Sequence, residues 1–379
     1  MKVRTAYRCG AACVAVETED RDASRWLAEF VTPWFEPCPT LSSARNVRFT
    51  ASRTVFESID RRYAAAATRP FPCFGLDRDV VLLAGWTEAG TTVVADTELG
   101  SFYRVSATCI EVIARPESLR ARIGLMRVVR ELLVAGRQAA DRLLDLHAAA
   151  FATPVGAVLL AGPKQAGKTT LLTHFLRSGR VSLIANDRVL VDVEPASPIA
   201  FGVPALVSIR VGTLALFPEL RRAPNERPAV LHSEESTGLT IFEPSNAGPH
   251  RDFGLSPAQL AQRCGSGTTR CAPIAAIVFP EVDAASGDWS LEPLANDAGS
   301  MRLLDSRYGI RAPRRSRTIF EDIVSRREPH RDNTPTQVAR LSMAVPLFRC
   351  RLGFGAYRNG AHDLLQVLVG GRAPAEHAR

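Results

Sequence analysis

The loop Gly162-Pro-Lys-Gln-Ala-Gly-Lys-Thr169 holds two of the three lysines in a chain with 47 basic residues. Its spacing is G-x-x-x-x-G-K-[ST], the pattern of a phosphate-binding loop. In such a loop the backbone N–H groups surround a β-phosphate and the following helix adds partial positive charge. The lysine reaches the outer phosphates, and the hydroxyl after it ligates Mg²⁺. That chemistry assigns Lys168 to the outer phosphates and Thr169 to the metal, with Gly162, Ala166, Gly167 and Thr170 completing the nucleotide cradle. Lys164 either adds charge at the phosphates or is a solvated loop lysine, and it stays outside the catalytic set.

One hydroxyl and two phosphate oxygens do not complete an octahedral magnesium shell, so a second acid is required. Asp187, at the end of the short apolar run Ser182 to Ala185, is the favoured ligand because it follows the loop by about twenty residues in α/β order. Glu281 or Asp283, after the apolar run Ala275 to Phe279, competes for the role. His147, entering the apolar segment before the loop, is either a cap or core histidine or an acid/base group.

The elements that would hold these residues follow from pattern. Val155 to Ala161 reads as a strand and Thr169 to Leu176 as a helix, with the loop between them. Arg180 to Val193 reads as two strands around a polar turn at Asn186-Asp187. Alternation of this kind predicts an α/β nucleotide-binding domain. A buried strand is predicted at Ala272 to Phe279 and a helix at about 361–369, with further segments at Ala205 to Val211, before a turn, and at Val345 to Leu352. The stretch from Leu220 to Gly254, rich in Pro, Asn, Glu and Ser, reads as a loop or lid. The first hundred or so residues carry strand-like pieces at the amino terminus, Val80 to Ala84, Thr91 to Ala95, Phe102 to Ala107 and Cys109 to Ala114, a sheet-rich lobe. From Ser118 to Leu146, apolar residues at Leu119, Ile123, Met126, Leu133, Leu143, Leu144 and Leu146 predict a long amphipathic helix. The expected organisation is a lobe at 1–117, a linking helix at 118–146 and a nucleotide domain at 147–379.

Composition narrows the classes. An apolar content of 46% in 379 residues supports a substantial core. The net charge of +8 comes from arginines spread over nearly every segment, and aromatics are only 7%, which argues against a nucleic-acid surface. The basic run from Arg311 to Arg331 reads as a solvated face, with a grip on an acidic peptide as the alternative. Eight scattered cysteines without a C-x-x-C pair suggest free thiols, no structural zinc and a reducing compartment. No apolar run approaches bilayer length, so a cytoplasmic protein without membrane contact is expected.

Together, His147-Ala-Ala-Ala, the strand, GPKQAGKTTL, the short helix ending at Ser178-Gly179, and Ser182-Leu-Ile-Ala-Asn-Asp-Arg-Val189 resemble the core of HPr kinase/phosphorylase-type proteins. The segments from Gly202 to Leu220, Ala272 to Phe279 and Val345 to Phe348 extend the resemblance over about residues 120–369. The resemblance implies a fold shared with phosphoenolpyruvate carboxykinase and ATP-dependent transfer of a phosphoryl group to a serine or similar hydroxyl of a protein or peptide. Some proteins of this type tailor natural-product precursor peptides. It also implies that His147 lies near the transferred phosphate, that Asp187 binds the metal, and that Arg210 lies in a strand near the site, with a solvated or ion-paired arginine as the alternative. Proteins of this type often form homo-oligomers, although nothing in this chain specifies an interface. Where the family pattern has a pair of acids, this chain has Asn186-Asp187. An amide cannot accept a proton from the acceptor, so either general-base work falls to Asp187 or His147 or transfer depends on positioning and metal alone. A nucleotide-binding regulatory or assembly protein without efficient transfer is the alternative that Asn186 favours.

Overall fold

A computed structural model of the chain describes residues 2–39, 44–73, 81–118, 120–141, 143–163, 166–210, 216–220, 252–283, 286–308, 334–353, 355–356 and 362–370. They fall into two units that divide at Leu143. Both are mixed α/β, each built on a large mixed sheet.

The amino-terminal unit begins with a hairpin of β1 (Val3–Cys9) and β2 (Ala12–Thr18). Asp20 caps α1 (Arg21–Val31), its Oδ1 accepting the Ala23 N–H at 2.9 Å. A two-residue β3 (Glu36–Pro37) and β4 (Arg45–Ala51) follow, and Ser52 caps α2 (Arg53–Ala65). The chain then runs through β5 (Arg69–Cys73), β6 (Val81–Glu88), β7 (Thr91–Asp96), β8 (Ser101–Val105) and β9 (Cys109–Ala114). The strand order is β3-β1-β2-β4-β9-β8-β7-β6-β5. The adjacent strands β2, β4 and β9 are parallel.

The predicted linking helix is observed as α3 (Arg120–Asp141), and it packs on β1, β2, β4 and β9 inside this unit. Its buried apolar side chains include Ile123, Met126, Val129 and Leu133. The helical spacing continues on paper to Leu146, but Leu144-Asp145-Leu146 forms β10 (Leu144–Leu146). Period-2 alternation there lets both leucines enter the core of the second unit, and that burial overrides the helical pattern.

In the second unit, β10 leads into a hairpin of β11 (Ala148–Thr153) and β12 (Gly156–Ala161), then α4 (Lys168–Arg177), β13 (Ser182–Ala185), β14 (Arg188–Asp192) and β15 (Ile199–Val203). A separate ribbon pairs β16 (Val207–Arg210) with β17 (Asp252–Leu255). After α5 (Pro257–Arg263) come β18 (Gly267–Thr268), β19 (Cys271–Asp283), β20 (Trp289–Pro293), α6 (Asn296–Asp305), α7 (Thr334–Ala344), β21 (Leu347–Gly353) and α8 (His362–Gly370).

The main strand order is β10-β14-β15-β19-β12-β11-β13-β18, with β21 joined to β19 and β20 to β21. Alternation along β11 and β12 feeds two cores. Ala149, Phe151, Val158 and Leu160 meet Leu172 and Phe175 of α4, whereas Ala148, Ala150, Leu159 and Ala161 meet Leu303 of α6 and Val338 and Leu341 of α7. A sheet covered on both faces needs apolar residues at every position, which explains the unbroken run Ala157 to Ala161. Each buried Leu or Phe contributes roughly 1.5–3 kcal/mol.

Among the described residues no helix is long and apolar enough to cross a membrane. Most of the predicted lid from Leu220 to Gly254, the basic run Arg311 to Arg331, and Lys164 lie outside the described residues.

Candidate functional site

The glycine loop joins the end of β12 to the start of α4. Gly162 has φ 148° and Gly167 has φ 90°, conformations that side-chain-bearing residues rarely adopt. Gly167 is the N-cap of α4 and offers no side-chain acceptor to the first-turn amides. Those amides and the positive end of the helix are the elements of an anion site. Lys168 is buried, and its Nζ donates to the carbonyls of Gly162 at 2.7 Å and Pro163 at 2.9 Å. Burial lowers its pKa to about 8, opposed by the negative charge of Asp187. Thr169 is half-buried and Thr170 buried at the first turn, and the Thr169 carbonyl accepts from Thr173 Oγ1 at 2.7 Å.

The sequence candidates on either side of the loop converge. β11 runs antiparallel to both β12 and β13, so β12 and β13 point the same way and end at the same edge of the sheet. Asp187 follows β13 there, and His147 precedes β11. His147 Nδ1 lies 3.7 Å from Asp187 Oδ1, with side chains 31% and 41% exposed. The His147 backbone N–H donates to the Ser306 carbonyl at 2.7 Å, tying it to the end of α6. Asn186 is buried, with Nδ2 3.5 Å from the Leu206 carbonyl, and its Oδ1 accepts no hydrogen bond among the described residues. Consecutive residues at a strand end face opposite ways, so the amide is interior while the carboxylate meets His147.

A clamp that the sequence did not suggest holds this arrangement. Arg188, next to Asp187, forms a bidentate pair with Asp145, two residues before His147, at 3.0 Å from Nε to Oδ1 and 2.7 Å from Nη2 to Oδ2. The Arg188 side chain is buried and that of Asp145 is 14% exposed, and the guanidinium lies 4.0 Å from the Tyr308 ring centre. Such a pair fixes direction as well as distance. Nothing local distinguishes Arg188 among so many arginines, and Asp145 looked like one polar residue in a helical stretch.

On the other side of the loop, a cavity of about 580 Å³ is lined by Gly162, Pro163, Ala166, Phe279, Glu281 and Arg302, among others. Glu281, the competing metal acid, reaches the loop region as well. Its carboxylate is held by Arg302 at 2.5 Å and Arg349 at 3.6 Å. Asp283 closes β19 two residues further on. Arg210 ends β16, and its side chain lies outside what is described.

The donor set suits the groups that the sequence implies. Glycine backbone, a helix start and a lysine suit phosphates, and the hard oxygens of Thr169 and Asp187 suit Mg²⁺. Among the described residues no group of three or more His, Cys, Asp and Glu side chains could hold a metal without such phosphate oxygens. No family model matches the chain, and no curated protein matches it in sequence.

Proposed function

We propose that the chain is an ATP-dependent kinase of the HPr kinase/phosphorylase type, transferring a phosphoryl group to a hydroxyl of a protein or peptide. The observation that carries this reading is the convergence of the glycine loop, buried Lys168 and the His147–Asp187 pair on one sheet edge. In this reading Gly162, Ala166, Gly167 and the first turn of α4 cradle the phosphates of ATP, and Lys168 leaves its two loop carbonyls to meet the outer ones. Thr169 and Asp187 hold Mg²⁺, which when bound neutralises phosphate charge. His147 receives the proton of the acceptor hydroxyl as its oxygen bonds to the terminal phosphorus and the bond to the ADP leaving group breaks. Asp187 stabilises the resulting imidazolium across the 3.7 Å separation.

The fold that supports such a site is a P-loop domain related to phosphoenolpyruvate carboxykinase, working in the cytoplasm. Lys168→Ala is expected to lose binding of a fluorescent ATP analogue, and His147→Ala to keep binding but lose labelled phosphate transfer to a serine peptide. Unchanged affinity in Lys168→Ala would sink the assignment.

Asn186 supports a second reading, a regulatory protein that binds nucleotide without efficient transfer. If Asn186→Asp and the parent chain both bind ATP and neither transfers phosphate to any hydroxyl peptide, this reading replaces the first.

A further inference from the structure

Two cysteines of the amino-terminal unit meet although they are far apart in sequence. Cys13 lies on β2 opposite Arg8 of β1, and Cys38 follows β3 with its backbone N–H donating to the Ala6 carbonyl at 2.9 Å. Their Sγ atoms are 3.5 Å apart, in contact but unbonded. The surroundings explain how they meet: Ala6, Ala15 and Ala44 form the rest of this patch, and no large side chain separates the sulfurs. Cys13 is buried and Cys38 is partly exposed. Among the described residues the pair belongs to no group of three or more metal-ligating side chains, so no metal cage accounts for it.

We propose that Cys13 and Cys38 form a redox-active dithiol that exchanges with low-molecular-weight disulfides, Cys38 reacting first and Cys13 resolving the adduct. Order follows from access, because a reagent in solution reaches the partly exposed sulfur before the buried one. The Cys38 thiolate attacks one sulfur of R–S–S–R, whose S–S bond breaks, and RS⁻ leaves with the electron pair and takes up a proton. Cys13 then gives up its proton and attacks Cys38 Sγ, releasing the second RSH. Two protein thiols are oxidised and one disulfide is reduced to two thiols, so no other oxidant is needed.

Burial holds the Cys38 thiol above its ordinary pKa, contact with Cys13 adds to this, and the Arg8 charge opposes it. Selectivity therefore comes from the contact of the two sulfurs and not from an acidic thiol. Bond formation requires the sulfurs to close from 3.5 Å to about 2.05 Å. Because β1 lies between β3 and β2, the bond spans two strand spacings, and the edge strand β3 must first release its pairs Tyr7 with Pro37 and Arg8 with Glu36 and the Cys38 N–H bond to the Ala6 carbonyl. The product closes a ring that contains α1 and fastens this edge of the sheet to β2.

The test uses the full chain with oxidised glutathione as the probe, followed by alkylation, proteolysis and mass spectrometry. The wild type is expected to yield a Cys13–Cys38 cross-linked peptide. Cys13→Ala is expected to stop at a stable glutathione adduct on Cys38, and Cys38→Ala to lose both products. Alanine suits this alanine-lined patch, and the wild-type cross-link is read without any variant. The proposal is overturned if the wild type forms no such cross-link while its other cysteines are thiolated, or if Cys38 stays unmodified in Cys13→Ala. Either result leaves the nucleotide reading untouched, since both are read without ATP.

Discussion

Lys168 sits in a position that couples nucleotide affinity to pH. With its pKa lowered to about 8 by burial, the free site loses its ammonium charge above that pH, while an anionic ligand favours the charged form. Affinity for ATP is then expected to hold below pH 8 and fall roughly tenfold per pH unit above it. Titration calorimetry in buffers of different ionisation enthalpy should record proton uptake at pH 9, and Lys168→Arg should abolish the pH dependence in this range.

Arg188 gives a second residue-scale expectation. Lysine keeps its charge but not the bidentate contact with Asp145, so Arg188→Lys is expected to lower kcat for transfer about tenfold or more with little change in KM for ATP. A loss confined to stability, with kcat intact, would show that the clamp does not position His147 and Asp187.

At the scale of elements, the start of α4 depends on backbone that only glycine supplies cheaply. Gly167→Ala places a side chain at φ 90° and is expected to cost about 1–3 kcal/mol in urea unfolding, together with a weakened nucleotide site. Phe175 anchors the same helix on the sheet, with its ring centre 5.0 Å from that of Phe151. Phe175→Ala should cost about 3–5 kcal/mol by the same measurement, because the site cannot collapse around the lost ring. The strand and helix flanking the loop were legible because burial on both faces leaves unbroken apolar sequence. α2 was not, since Phe56 and Ile59 are its only buried positions among charged neighbours, whereas α1 carries a full stripe, Ala23, Leu27, Phe30 and Val31 behind the Asp20 cap, that a strand-only reading of this lobe passes over.

Over the whole molecule, two units with separate cores should respond separately to ligand. ATP is expected to slow hydrogen exchange in β12, the glycine loop and α4, and to leave β4 and β9 unchanged, as read by mass spectrometry of proteolytic peptides. Equal protection in both units would show that nucleotide binding reaches beyond the second one.

What the sequence determined by itself was local: the loop pattern with its lysine and hydroxyl, the turn at Asn186-Asp187, and the apolar strands around them. These are legible because phosphate binding and strand burial each demand particular residue types at fixed short spacing. Tertiary structure decided what depends on distant pairs. It turned Leu144 to Leu146 from helix to strand, buried Asn186 while leaving Asp187 beside His147, joined Arg188 to Asp145 across 43 positions, and brought Cys13 into contact with Cys38. Such contacts are set by strand order and register, and no spacing along the chain encodes them.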